Sequence, residues 1–112
     1  MTYAEVNKVD VEQACERLIQ RFELEIGAKR EKMIQDRCHS GWFFPRARQE
    51  AVEWLDRQER FHPWHMTGFE LRCKTSRARE LLSLAKVATS VVRLSAEDAS
   101  LLQPFWSTEG VS

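Results

Sequence analysis

The chain predicts an α+β domain: three or four helices with a small sheet of two or three strands, led by a long amphipathic N-terminal helix. Three observations carry this prediction. Apolar residues recur at three- and four-residue intervals in three separate stretches, which is helical spacing. Gly68–Lys74 alternates apolar and polar residues, and Val91–Leu94, apolar but for Arg93, looks like another strand. Pro45, Pro63 and Pro104 fall where helical stretches begin or stop.

The first helix is predicted from Asp10, a capping residue with Gln13 three positions on. Val11, Ala14, Cys15, Leu18, Phe22 and Ile26 then form its inward stripe. Lys29 and Arg30 interrupt that stripe, Met33 and Ile34 resume it, and Gly27 marks the weak point. An unbroken helix to Cys38 would be about 42 Å long. A compact domain of this size is about 34 Å across, so such a helix either breaks near Gly27 or finds a partner for its far half.

Gly41–Phe44 reads as a buried strand or an aromatic turn, and Pro45 as the first residue of the second helix. Ala47, Ala51, Val52 and Leu55 face inward there, with Trp54 at the edge of the stripe, while Glu53–Arg57 and Asp56–Arg60 are spaced as surface pairs. Pro63 requires that helix to end by Phe61 or His62.

In Gly68–Lys74, Phe69, Leu71 and Cys73 share one face and Glu70, Arg72 and Lys74 the other, which predicts a half-buried strand. Thr75 or Ser76 would cap a third helix with Ala78, Leu81, Leu82, Ala85 and Ala88 inward. After the strand at Val91–Leu94, Ser95 and Asp98 resemble a capping box for a short last helix that Pro104 stops. Phe105 and Trp106 fold back on the core. Residues 1–9 and 107–112 are expected to be loose ends of one domain covering 1–112.

Composition narrows the function. Apolar residues make up 43%, enough for a core, and no run approaches the roughly 20 apolar residues of a membrane span. Three cysteines do not make a disulfide framework, and the first ten residues lack an apolar leader core, so a cytoplasmic protein is expected. Cys15 and Cys73 read as small buried hydrophobes, and Cys38 as a helix-end thiol beside His39.

Net charge is zero but unevenly spread. Between Phe61 and Leu94, Arg72, Lys74, Arg77, Arg79, Lys86 and Arg93 outweigh Glu70 and Glu80, for a net +4. From Ser95 onward, Glu97, Asp98 and Glu109 stand without a basic residue.

Four chemistries can be weighed on these residues. Cys38, His39, His62, His65 and Cys73 are zinc-ligand types. A predicted helix of about 24 Å separates their two connectors, and no CxxC pair occurs, so no metal or other cofactor is expected. No nucleophile elbow or phosphate-cradling glycine loop is present, which argues against an enzyme and a small-molecule substrate. Nucleic-acid binding is the alternative reading. Arg72, Lys74, Arg77, Arg79 and Arg93 would form its basic face, with Trp42 or Trp64 stacking on bases. The favoured reading is protein–protein interaction by a regulatory module, with Met33, Ile34, Trp42, Phe44 and Trp64 as anchors and another protein, or a second copy of the chain, as partner. Small size without a known domain signature suits an accessory factor of a bacterium, phage or mobile element.

Overall fold

The computed structural model describes residues 3–38, 44–63 and 67–106. They form β1 (Tyr3–Asn7), α1 (Lys8–Cys38), α2 (Pro45–Phe61), α3 (Phe69–Val87), β2 (Val91–Ser95) and α4 (Ala96–Leu102), followed by a 3-10 turn at Gln103–Phe105. The class is α+β, with four helices and a two-stranded antiparallel sheet. The chain packs as two compact units. Unit 1 holds Met1–Phe22 and Lys74–Ser112, and unit 2 holds Glu23–Cys73. The candidate zinc ligands His39 and His65, the anchors Trp42 and Trp64, most of the Gly41–Phe44 turn and the tail after Trp106 lie outside the described residues.

In unit 1, β1 and β2 pair in the register Tyr3↔Ser95, Glu5↔Arg93 and Asn7↔Val91. Residues 3–7 are therefore a strand where a loose end was expected. Ala4 and Val6 are its apolar positions on one face, and they become a strand because Leu94 and Val92 lie opposite them. Helix α1 starts at Lys8 rather than after Asp10. Asn7 caps it, its Oδ1 accepting the Val9 N–H at 2.8 Å. The Lys8 ammonium donates to the Ala88 carbonyl at 3.0 Å and the Lys86 carbonyl at 3.4 Å, satisfying acceptors left over at the end of α3.

The core of unit 1 joins Val11, Ala14, Cys15 and Leu18 of α1 to Ala78, Leu81 and Ala85 of α3. Val92 and Leu94 of β2, Leu102 of α4 and Phe105 complete it. Leu18, Leu81, Leu94 and Leu102 are fully buried, each contributing about 1.5–3 kcal/mol by removal from water. Phe105 and Trp106 fold back as predicted, and Phe105 meets Phe22 edge-to-face at 5.5 Å. The capping box of α4 forms too: the Asp98 N–H donates to Ser95 Oγ at 3.2 Å.

The predicted strand at Gly68–Lys74 is instead the start of α3, so no strand–helix–strand unit exists among the described residues. Leu71, Thr75, Ala78, Leu81 and Ala85 step by three and four along the inward face, and Thr75, offered as a cap, is buried within the helix. Cys73 consequently points to solvent.

Unit 2 is built from the Glu23–Cys38 part of α1, all of α2 and the first residues of α3. Gly27 does not break α1, and its surroundings are open: nothing lies within 4 Å of the point where a Cβ would stand. The small core consists of Ile34, Ala51 and Leu55, with Met33, Cys38, Val52 and Trp54 packed around it. Pro45 opens α2 and Phe61 is its last residue, both as predicted. Asp56 does not merely decorate the surface, because its carboxylate accepts from Arg30 Nη2 at 2.7 Å.

Candidate interaction surface

The best-defined exposed surface is the outer side of the β1–β2 ribbon in unit 1. Its backbone phase follows from one bond: the Lys8 N–H donates to the Ser90 carbonyl at 3.0 Å, one step past the ladder in the same register. Hydrogen-bonded pairs alternate in an antiparallel ribbon, so Val6/Val92 and Ala4/Leu94 are the bonded pairs. Tyr3 and Glu5 then aim their N–H and C=O groups off one long edge, and Val91 and Arg93 off the other. Among the described residues no third strand covers either edge.

All four of these residues are exposed. Tyr3 and Val91 are about half exposed, at 49% and 47%. Glu5 lies directly opposite Arg93, and the Arg93 guanidinium stands 5.5 Å from the centre of the Tyr3 ring. Sequence reasoning placed Arg93 on a strand but missed Tyr3 and Glu5. The available signal was the Tyr-Ala-Glu-Val-Asn alternation, five residues long.

The predicted protein-binding anchors have different fates. Ile34 is 5% exposed and belongs to the core of unit 2. Met33 is half-buried beside it, its sulfur accepting the Thr67 hydroxyl at 3.6 Å. These two meet α2 of the same chain, which is the partner that the far half of α1 finds. Phe44, just before α2, is 65% exposed.

The basic set is divided. Arg72 belongs to unit 2, while Lys74, Arg77, Arg79 and Arg93 belong to unit 1. Arg72 donates to Glu59 at 3.0 Å and to the Thr67 carbonyl at 3.2 Å. Arg77 grips Asp98 with two parallel bonds of 2.9 and 2.8 Å and reaches Glu80 at 2.7 Å. Those bonds, chiefly the ones to Asp98, hold the Arg77 pKa above its ordinary value and the Asp98 carboxyl below its own. The Lys74 ammonium lies 5.9 Å from the Phe22 ring centre. Arg72 and Arg77 thus each spend their charge on a carboxylate of their own unit, leaving less for phosphates.

Two further groups bear on chemistry. Burial, reinforced by Asp98 and Glu16, pushes the Cys15 thiol up to about 11, so it is protonated and unreactive at neutral pH. In unit 2 a cleft of about 400 Å³ lies between the end of α1 and α2. Arg37 and Arg57 line it together with Glu50 and Glu53, and Arg37 stacks over the Trp54 ring at 4.4 Å. Its charges are mixed, and Cys38 Sγ, on its wall, donates to the Ala47 carbonyl at 3.4 Å. Among the described residues no three His, Cys, Asp or Glu side chains converge as a metal ion requires, and no helix is long and apolar enough to cross a membrane.

No family model, curated protein or solved structure matches the chain.

Proposed function

We propose that the chain is a non-catalytic regulatory module that binds another protein, taking an extended segment of it along an edge of the β1–β2 ribbon. The observation that carries this reading is the ribbon itself, with two unpaired edges among the described residues and Tyr3 and Arg93 stacked on its outer face. Strand addition draws affinity from main-chain bonds, and tyrosine and arginine are residue types that dominate interface energetics. Three free cysteines, Cys15, Cys38 and Cys73, suit the reducing cytoplasm as the place of action.

Affinity capture from the native host, with and without nuclease, tests the reading when run on three proteins. The wild type should retain a protein partner after nuclease. Either Glu5→Pro or Arg93→Pro should lose it, because each removes one outward N–H and leaves the inward ladder intact. Equal capture by both proline variants, with unchanged circular dichroism, would rule out strand addition. Retention on nucleic acid that vanishes with nuclease and falls steeply with salt would favour the basic-face alternative.

A further inference from the structure

Among the described residues, unit 2 encloses only three fully packed apolar side chains, Ile34, Ala51 and Leu55, for a segment running from Glu23 to Cys73. Its elements are tied instead by charge. Glu59 of α2 accepts from Arg30 of α1 through one oxygen and from Arg72 of α3 through the other. Arg30 also reaches Asp56, and Arg48 of α2 grips Glu31 of α1 with bonds of 2.6 and 2.7 Å. Of the Glu59 group, the carboxylate side chain is the most enclosed at 14% exposed, against 25% for Arg30 and 24% for Arg72.

The turn into α3 is also held under tension. Thr67 has φ 39° and Gly68 φ 75°, both in the left-handed region. That region is uncommon for any residue but glycine and is disfavoured for a β-branched side chain. Such a conformation persists only where its surroundings over-determine it. Here the holding group is Arg72, which bonds the Thr67 carbonyl while it bonds Glu59. Removing the negative charge at Glu59 leaves two half-buried guanidinium groups facing the same place, and takes away one of the bonds that hold the Arg72 side chain against the turn.

We propose that Glu59 is the latch of a charge-operated conformational switch: gripped by Arg30 and Arg72, it holds Ala51 and Leu55 of α2 closed against Ile34 of α1, and loosening that grip lets α2 open while unit 1 stays folded. The switch is a local opening of the kind that separates cooperative segments within one chain. It responds to ionic strength, because screening lengths fall from about 30 Å at ~0.01 M salt to about 3 Å at ~1 M.

Amide hydrogen exchange read by mass spectrometry, on the full chain, tests it. In the wild type the amides of Pro45–Phe61 should exchange about tenfold faster at ~1 M than at ~0.01 M NaCl, while those of β1, β2 and Ala78–Ala85 hold their protection. In Glu59→Gln, α2 should exchange about ten- to a hundredfold faster than wild type at low salt, with its salt response reduced to what Arg30–Asp56 and Arg48–Glu31 still supply. Glu50→Gln, which removes a charge paired with the exposed Arg46 and leaves the Glu59 group intact, should behave as wild type. Wild-type α2 protection in Glu59→Gln would overturn the latch. So would loss of protection in β2 in step with α2, whether produced by the variant or by salt in the wild type.

Discussion

Replacing Asp98 by asparagine tests how unit 1 is held, and its cost can be worked from the contacts. The carboxylate accepts two bonds from Arg77, at 2.9 and 2.8 Å, and its side chain is 10% exposed. Bonds to a charged group contribute about 1.5–3 kcal/mol, and a carboxylate in the first turn of a helix about 0.3–1 kcal/mol more. Arg77 is 44% exposed and keeps its bond to Glu80, so screening discounts the pair toward the lower figure. The expected loss is about 2 kcal/mol, read as a lower urea midpoint at unchanged slope. The loss should depend on pH with a definite sign. Bonding to Arg77 holds the Asp98 carboxyl below its ordinary value. Its contribution is therefore complete above the unfolded value of about 4 and disappears as pH falls through the folded one. The gap between wild type and Asp98→Asn should be flat above about pH 5 and close in stronger acid. Glu31, depressed mainly by its bond to Arg48, titrates in both proteins and cancels. A gap below about 0.5 kcal/mol at neutral pH, or one that survives undiminished at about pH 2, would refute the reasoning.

Two other perturbations probe the backbone and the thiols. Gly27→Ala should stabilise the protein by about 0.5–1 kcal/mol in thermal or urea melts, since nothing stands near its side-chain position in mid-helix. Gly68→Ala should destabilise by about 1–2 kcal/mol, because φ is +75° and the added methyl would meet Lys29 Cδ at 3.3 Å; a neutral outcome would count against the strained turn. Alkylation followed by peptide mapping should label exposed Cys73 at once and Cys15 only on unfolding; equal rates would contradict the buried, protonated thiol at position 15.

Helices with many core neighbours were legible in the sequence, and elements defined by a distant partner were not. The Val11–Leu18 stripe, the Ala51 and Leu55 face and the Ser95–Asp98 cap declare themselves within a few residues. Residues 68–74 misled because seven alternating residues fit a strand as well as a helix. What decides is the continuation through Thr75 and Ala78, which extends a helical face and gives a strand no neighbour. Strand β1 was missed because its alternation is only five residues long, and Ala4 and Val6 acquire meaning only opposite Leu94 and Val92. Lys29 and Arg30 looked like a break in the apolar stripe; the Arg30 guanidinium is in fact the bond between α1 and the carboxylates of α2. Of the interaction surface, Arg93 was anticipated on its strand, while Tyr3 and Glu5 depended on a pairing that the five-residue alternation around them is too short to declare.

The register that pairs Tyr3 with Ser95 also sets an order of events during synthesis. A ribosome delivers the chain from its N-terminus, so every residue of Glu23–Cys73 has been made before β2 exists. Throughout that interval β1 has no strand to lie against, and both of its edges offer backbone groups to any neighbouring nascent chain. Translation that stalls before Val91 would leave a product with its helical middle complete and its first strand orphaned, a species prone to aggregate rather than to finish folding.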